Sequence, residues 1–155
     1  MREHLGDLMP VSMLDPIKYG DTPGDGAGIT VDMQGFDSLL IGAQFGIEGD
    51  TLGTQKFYVE VEHSLDNPAS PGSPLSWEDC ADSDLSKHVT GVNTGTLCLV
   101  DANAEAPAIY WTTYRGGRRF VRVYINEEGT NTNGTPIACF GIKGHPHAAP
   151  VAVAS

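Results

Sequence analysis

The stretch KFYVEVEHS, residues 56–64, constrains the fold more than any other. Phe57, Val59 and Val61 fall on one phase of a two-residue period, and Tyr58, Glu60 and Glu62 on the other. That alternation fits a strand with one face in a core and the other toward solvent. Shorter runs of the same kind recur as ITVDMQGF (29–36), SLLIGAQFGIEG (38–49), GTLCLVDA (95–102) and IACFGIKG (137–144), separated by Gly, Pro, Asn and Asp clusters. No window of ten residues carries a 3.6-residue apolar period. The expected fold class is therefore all-β, an antiparallel β-sandwich of jelly-roll-like form.

A chain of 155 residues can bury one self-sufficient core. Residues 1–28 show no sustained period and end in a glycine-rich run, so we read them as an extended N-terminal arm with little regular structure. Leu5, Leu8, Met9, Val11, Met13, Leu14 and Ile17 make it too apolar for a solvated tail, and it should lie on its own domain or on a neighbour. Residues 29–146 form the β-domain, and 147–155 a Pro- and Ala-rich tail.

The segment YWTTYRGGRRFVRVYINEEGT holds four of the chain's five arginines, in a protein of 20 acidic and nine basic residues. Gly116-Gly117 suits a tight hairpin turn. That register sets Arg115 opposite Arg118, Thr113 opposite Phe120 and Trp111 opposite Arg122. Tyr110, Thr112, Tyr114, Val121, Val123 and Ile125 then face the core. Trp111, Arg115, Arg118, Arg119, Phe120, Arg122 and Tyr124 become the candidate interface, arginine beside aromatics being an enriched combination at protein contacts. The competing reading is internal: Glu60 and Glu62 on one strand pair with Arg118 or Arg122 on another. Reversing the charge of Arg118 and Arg122 together separates the two. It weakens assembly and spares folding if a partner is met, and unfolds the chain if the pairing is internal.

Other chemistry is sparse. Cys80, Cys98 and Cys139 have no metal-ligand spacing and read as small buried apolar residues in a reducing compartment. Glu78, Asp79, Asp82 and Asp84 match no calcium loop and read as a solvated acidic loop. His145 and His147 flank Pro146 in an extended segment, and His63 ends the apolar phase of its strand as a hydrogen-bonded, partly buried ring. There is no nucleophile elbow, HExxH or P-loop, so no enzyme activity, cofactor or metal is expected. A net charge of −11 opposes nucleic-acid binding, and no apolar run is long enough to span a bilayer.

ITVDMQGFDSLLIGAQFGIEGDT, KFYVEVEHSLDN and YRGGRRFVRVYINEEGTNTNGTPIACFGIKGHP together resemble a group of small virion proteins of tailed bacteriophages regarded as capsid decoration, or cement, proteins. The resemblance covers residues 29–67 and 108–146, and residues 68–106 match it less well. It implies a non-enzymatic β-sandwich on the outside of an icosahedral head, bound to the major capsid protein, commonly as a homotrimer, assembled in the bacterial cytoplasm and located in the virion. It makes the arginine-aromatic strand a candidate for subunit or capsid contact. The alternative expectation is a carbohydrate-binding or tail-associated adhesion module, since β-sandwiches expose aromatics that stack on sugars, with Trp77 and Trp111 as the only tryptophans.

Overall fold

A computed structural model describes residues 7–19, 26–47, 49, 51–53, 55–129 and 132–148. The strands are β1 (Met9–Tyr19), β2 (Gly26–Ala27), β3 (Val31–Asp32), β4 (Phe36–Phe45), β5 (Lys56–Ser64), β6 (Asp66–Asn67), β7 (Ser70–Pro74), β8 (Glu78–Asp79), β9 (Thr96–Val100), β10 (Ala108–Tyr114), β11 (Phe120–Glu128) and β12 (Thr135–Pro146). A four-stranded sheet runs β1-β12-β4-β10, and a six-stranded sheet runs β2-β11-β5-β8 with β3 also on β11 and β9 also on β5. Strands β6 and β7 form a separate ribbon. Every pairing of strands is antiparallel. The all-β, sandwich-like architecture expected from the sequence is the one found.

The alternation in β5 explains how the core closes. Phe57, Val59 and Val61 are fully buried, beside Val121, Val123 and Ile125 of β11. From the other sheet, Leu39, Ile41, Ala43 and Phe45 of β4 point inward, flanked by Ile137 and Cys139 of β12. These residues make one cluster, and Phe45 meets Phe57 across it with ring centroids 6.4 Å apart. Each large side chain so buried contributes roughly 1.5–3 kcal/mol of transfer free energy.

Gly116-Gly117 does not close a hairpin. Strand β10 pairs with β4, Trp111 opposite Gly42, while β11 pairs with β5 in the other sheet, Arg122 opposite Glu62. The registers Arg115/Arg118, Thr113/Phe120 and Trp111/Arg122 are therefore replaced by a crossing from one sheet to the other. The physical reason is that both strands carry one apolar phase. Tyr110, Thr112 and Tyr114 on β10, and Val121, Val123 and Ile125 on β11, bury toward the same core from opposite sheets. Gly116 fits the crossing because its backbone lies against the Tyr114 ring, where an added Cβ would sit 2.4 Å from the hydroxyl.

The N-terminal segment is extended and lies on its own domain, but it is not irregular. Residues 9–19 are β1, hydrogen-bonded to β12, with Met13, Leu14 and Tyr19 buried. Register shifts between Ser12 and Leu14 and between Leu14 and Ile17 interrupt its pairing with β12. Pro10 and Pro16 are tolerated there because an edge strand has donors to spare. Residues 1–6 and 20–25 of the expected arm, with Leu5, and residues 149–155 of the expected tail lie outside the described residues. Within the tail, His147 Nε2 is 2.6 Å from Asp37 Oδ1 and its backbone N–H bonds the Gly35 carbonyl, fixing the end of β12 to the start of β4.

Candidate functional site

The seven residues singled out in the sequence do not form one surface. Trp111 lies on the outer face of the four-stranded sheet, whereas Phe120, Arg122 and Tyr124 belong to β11 of the other. Phe120 is 2% exposed, so its ring is covered. Tyr124 is half-buried opposite Glu60.

Three of the arginines are engaged inside the fold. Arg122 Nε donates to Glu62 Oε2 at 2.5 Å, directly across the β5–β11 pair, and its guanidinium lies 4.2 Å from the Trp77 ring centroid. Arg119 grips Asp32 with two parallel bonds of 3.0 and 2.8 Å and reaches Asp66 at 2.6 Å and Gln34 at 2.8 Å. Such fork-on-carboxylate geometry is the stronger kind of charge-assisted bond. The hydrogen bonds from Arg119 hold the Asp32 carboxyl below its usual range. Arg118 Nη2 donates to Glu78 Oε1 at 2.9 Å. Arg115 is exposed, on a cleft of about 540 Å³ that Gly117, Arg118, Arg119 and His147 also line. The cross-strand pairing of Arg122 with Glu62 is thus the internal alternative, while Arg118 turns to Glu78 instead of β5.

Next to Arg118 lies a buried polar chain. His63 Nδ1 is 2.9 Å from the Tyr114 hydroxyl, which also accepts the Arg118 backbone N–H at 3.4 Å. On the other side of the ring, His63 Nε2 faces Glu78 Oε1 at 3.5 Å. Burial pushes the His63 pKa down against the opposing pull of Asp84 and Glu78, and pushes the Tyr114 phenol up. This chain ties the Arg115–Arg119 crossing to β5. The acidic loop serves the same region: Asp82 Oδ1 accepts from Gly95 N–H and Asp84 Oδ2 from Ala81 N–H. Burial raises the thiols of Cys80 and Cys139 to about 12 and that of Cys98 as well, so all three are held as unreactive thiols.

The most distinctive surface is one the sequence reading reached only through Trp111. On the outer face of the four-stranded sheet, Trp111, Gly42 and Phe140 stand side by side on β10, β4 and β12. Trp111 is 47% exposed, Phe140 40% and Ile109, two residues along β10, 62%. The Phe140 ring lies over Gly42: an added Cβ there would come within 2.3 Å of its Cζ. Lys87 sets its ammonium 3.5 Å above the indole centroid. The neighbouring outward row is Thr113, Leu40 and Ile142. On the opposite sheet the outward positions are Lys56, Tyr58, Glu60 and Glu62 of β5 and Arg122, Tyr124, Asn126 and Glu128 of β11. The outward positions of β5 and β11 are rich in charge and in internal pairs, whereas those of β10, β4 and β12 around the row are uncharged, with the Lys87 ammonium lying over Trp111. The signal in IACFGIKG was available, because Phe140 and Ile142 alternate with Cys139 and Gly141 and give a strand apolar on both phases.

No protein-family model and no curated protein matches this chain. Among solved structures, it is similar to a chain from the disulfide-linked pili of Bacillus endospore appendages, with a TM-score of 0.39 and 11% identity over 90% of this chain and 89% of that one. A chain of infectious bursal disease virus, Gx strain, gives a TM-score of 0.24 and 10% identity over 88% of this chain and 39% of that one.

Proposed function

We propose that this protein is a structural component of a tailed-phage virion, a non-enzymatic decoration protein that attaches to the outside of the head and stabilises it. The observation that carries the reading is the two-sidedness of the sandwich. An acidic chain of net charge −11 presents a sheet face whose outward row, Trp111, Gly42 and Phe140, is apolar and uncharged. Contiguous exposed apolar surface of this kind marks interaction sites in soluble proteins. The resemblance of residues 29–67 and 108–146 to phage decoration proteins supplies the partner, the major capsid protein, and the trimer. A cement protein stabilises a shell by binding the assembled state and not its separated subunits, so mass action favours the assembly.

The same row supports a second reading. Two aromatic side chains flanking a glycine on an exposed sheet make a platform on which a sugar ring could stack, as in a carbohydrate-binding or adhesion module. Sedimenting the protein with bare, expanded phage capsids that lack it, at low and high salt, separates the two. Saturable, stoichiometric co-sedimentation supports decoration. Absence of binding at every salt concentration, with retention on host polysaccharide, refutes it in favour of adhesion.

A further inference from the structure

We infer that His63, Glu78 and Arg118 form a proton-operated latch on the crossing between the two sheets. When the His63 ring gains a second proton, the Glu78 carboxylate passes from Arg118 to the imidazolium, and the crossing loses its tie to β8. The device stands apart from the function proposed above and from the sheet face that function uses.

Several elements meet at the ring. Glu78 of β8 lies directly opposite His63 of β5, Tyr114 ends β10, Asp84 lies in the turn 82–84, and Arg118 belongs to the crossing between β10 and β11. From β11 the residue paired with His63 is Val121, which carries no titratable group. His63 is 7% exposed, yet it forms part of the wall of a cleft of about 620 Å³ with Glu78, Asp84, Gly117 and Arg118, so protons reach it from solvent. The decisive contact is a shared oxygen. Glu78 Oε1 accepts from Arg118 Nη2 at 2.9 Å and faces His63 Nε2 at 3.5 Å.

A neutral imidazole has one N–H. Whichever nitrogen carries it, the ring donates to only one of its two neighbours, the Tyr114 hydroxyl at Nδ1 or the Glu78 carboxylate at Nε2. The imidazolium donates from both. Its Nε2 then makes a charge-assisted bond to Glu78, and Asp84 Oδ2, 3.9 Å from Nδ1, sets a second negative charge beside the ring. Two cations now converge on one carboxylate oxygen. His63 is fixed by burial and by Tyr114, whereas the Arg118 side chain is 35% exposed on a segment holding two glycines, so Arg118 is the one that yields. It turns to solvent beside the exposed Arg115. Burial opposes the second proton more than Asp84 and Glu78 favour it, and the Arg118 charge opposes it too. The latch therefore opens below the ordinary histidine value of about 6.5.

The test follows the full chain by NMR from pH 7.5 to pH 5, above the ordinary carboxylate values. It reads the His63 ring and the solvent exchange of the Arg118 guanidinium, with the exposed Arg115 in the same spectrum as reference. In the wild type, Arg118 should be protected relative to Arg115 at pH 7.5 and lose that protection with the same midpoint as the His63 ring. In His63→Gln the protection should persist to pH 5. Glu78→Gln, at an exposed position, serves if His63→Gln folds poorly: Arg118 should then be unprotected at every pH, and His63 should titrate at lower pH than in the wild type. His88→Gln and His147→Gln remove the neighbouring histidines, one facing Asp82 and one lining the cleft beside Arg115, and should leave the response intact. Arg118 protection that stays constant while His63 titrates overturns the inference, as does a His63 ring that takes up no proton down to pH 5. A response that survives in His63→Gln, or disappears in His88→Gln or His147→Gln, overturns it in favour of another titrating group.

Discussion

Arg122→Glu is the sharpest test of the claim that the arginine strand is structural. Arg122 sits opposite Glu62 with a 2.5 Å bond, and the two side chains are 19% and 15% exposed. Removing one partner of a fully buried ion pair costs roughly 3–5 kcal/mol, and exposed pairs are worth about 0–1 kcal/mol. A pair buried to this degree falls between, at about 2–3 kcal/mol. Loss of the guanidinium over Trp77 adds about 0.5–1 kcal/mol, and reversal sets two carboxylates opposite one another. The expected total is therefore about 3–4 kcal/mol, which for a domain of this size lowers the melting temperature by roughly 6–16 °C. Replacing both Glu62 and Arg122 by Leu should recover most of it, because an apolar pair leaves no charge uncompensated. Thermal and urea unfolding of the two single variants and the double variant gives the coupling directly. If Arg122→Glu melts with the wild type yet loses capsid binding, the reasoning fails and the arginine serves a partner.

Three further outcomes follow from the same structure. The His63 pKa is depressed by burial, so the unfolded chain binds the proton more readily than the folded one. Its contribution is full above about pH 6.5 and is lost as pH falls through the folded value. Wild type should lose stability between pH 7.5 and pH 5 more than His63→Gln does, and equal losses would contradict the burial argument. Gly95 has φ of +75°, and an added Cβ would lie 2.8 Å from the Cys80 carbonyl and 2.9 Å from that of Val61. Gly95→Ala should therefore cost at least about 1–3 kcal/mol from backbone strain alone, against a near-silent Gly117→Ala, where no atom lies within 4 Å. A thiol reagent at pH 8 should leave all three cysteines unmodified in the native protein and label all three in denaturant. Rapid labelling of the native chain would contradict their burial.

The features legible in the sequence were those set by local period. The two phases of β5 gave Phe57, Val59 and Val61 to the core, and the apolar phases of the Arg-rich segment gave Tyr114, Val121, Val123 and Ile125. Pairing was not legible in the same way, because period two says which face is buried and not which strand lies alongside. Gly116-Gly117 permits a hairpin but equally permits a crossing, and the strands that pair with β10 and β11, β4 and β5, lie far from the turn in sequence. The N-terminal segment shows the same limit. Its apolar content required something to lie on, but β12 lies more than a hundred residues away in the chain. The apolar row divides likewise: Trp111 stood out as a rare aromatic, whereas Phe140 joins it only through β4, which neither residue's neighbours predict.

The central claim, a sheet face with an apolar aromatic row seated on a phage head, is tested most directly by a cryo-electron microscopy reconstruction of bare, expanded capsids incubated with the protein. The account predicts added density at regular positions on the outer surface, with β4, β10 and β12 turned toward the shell and the β5–β11 face outward. Undecorated capsids, or density attached through the β5–β11 face, would contradict it.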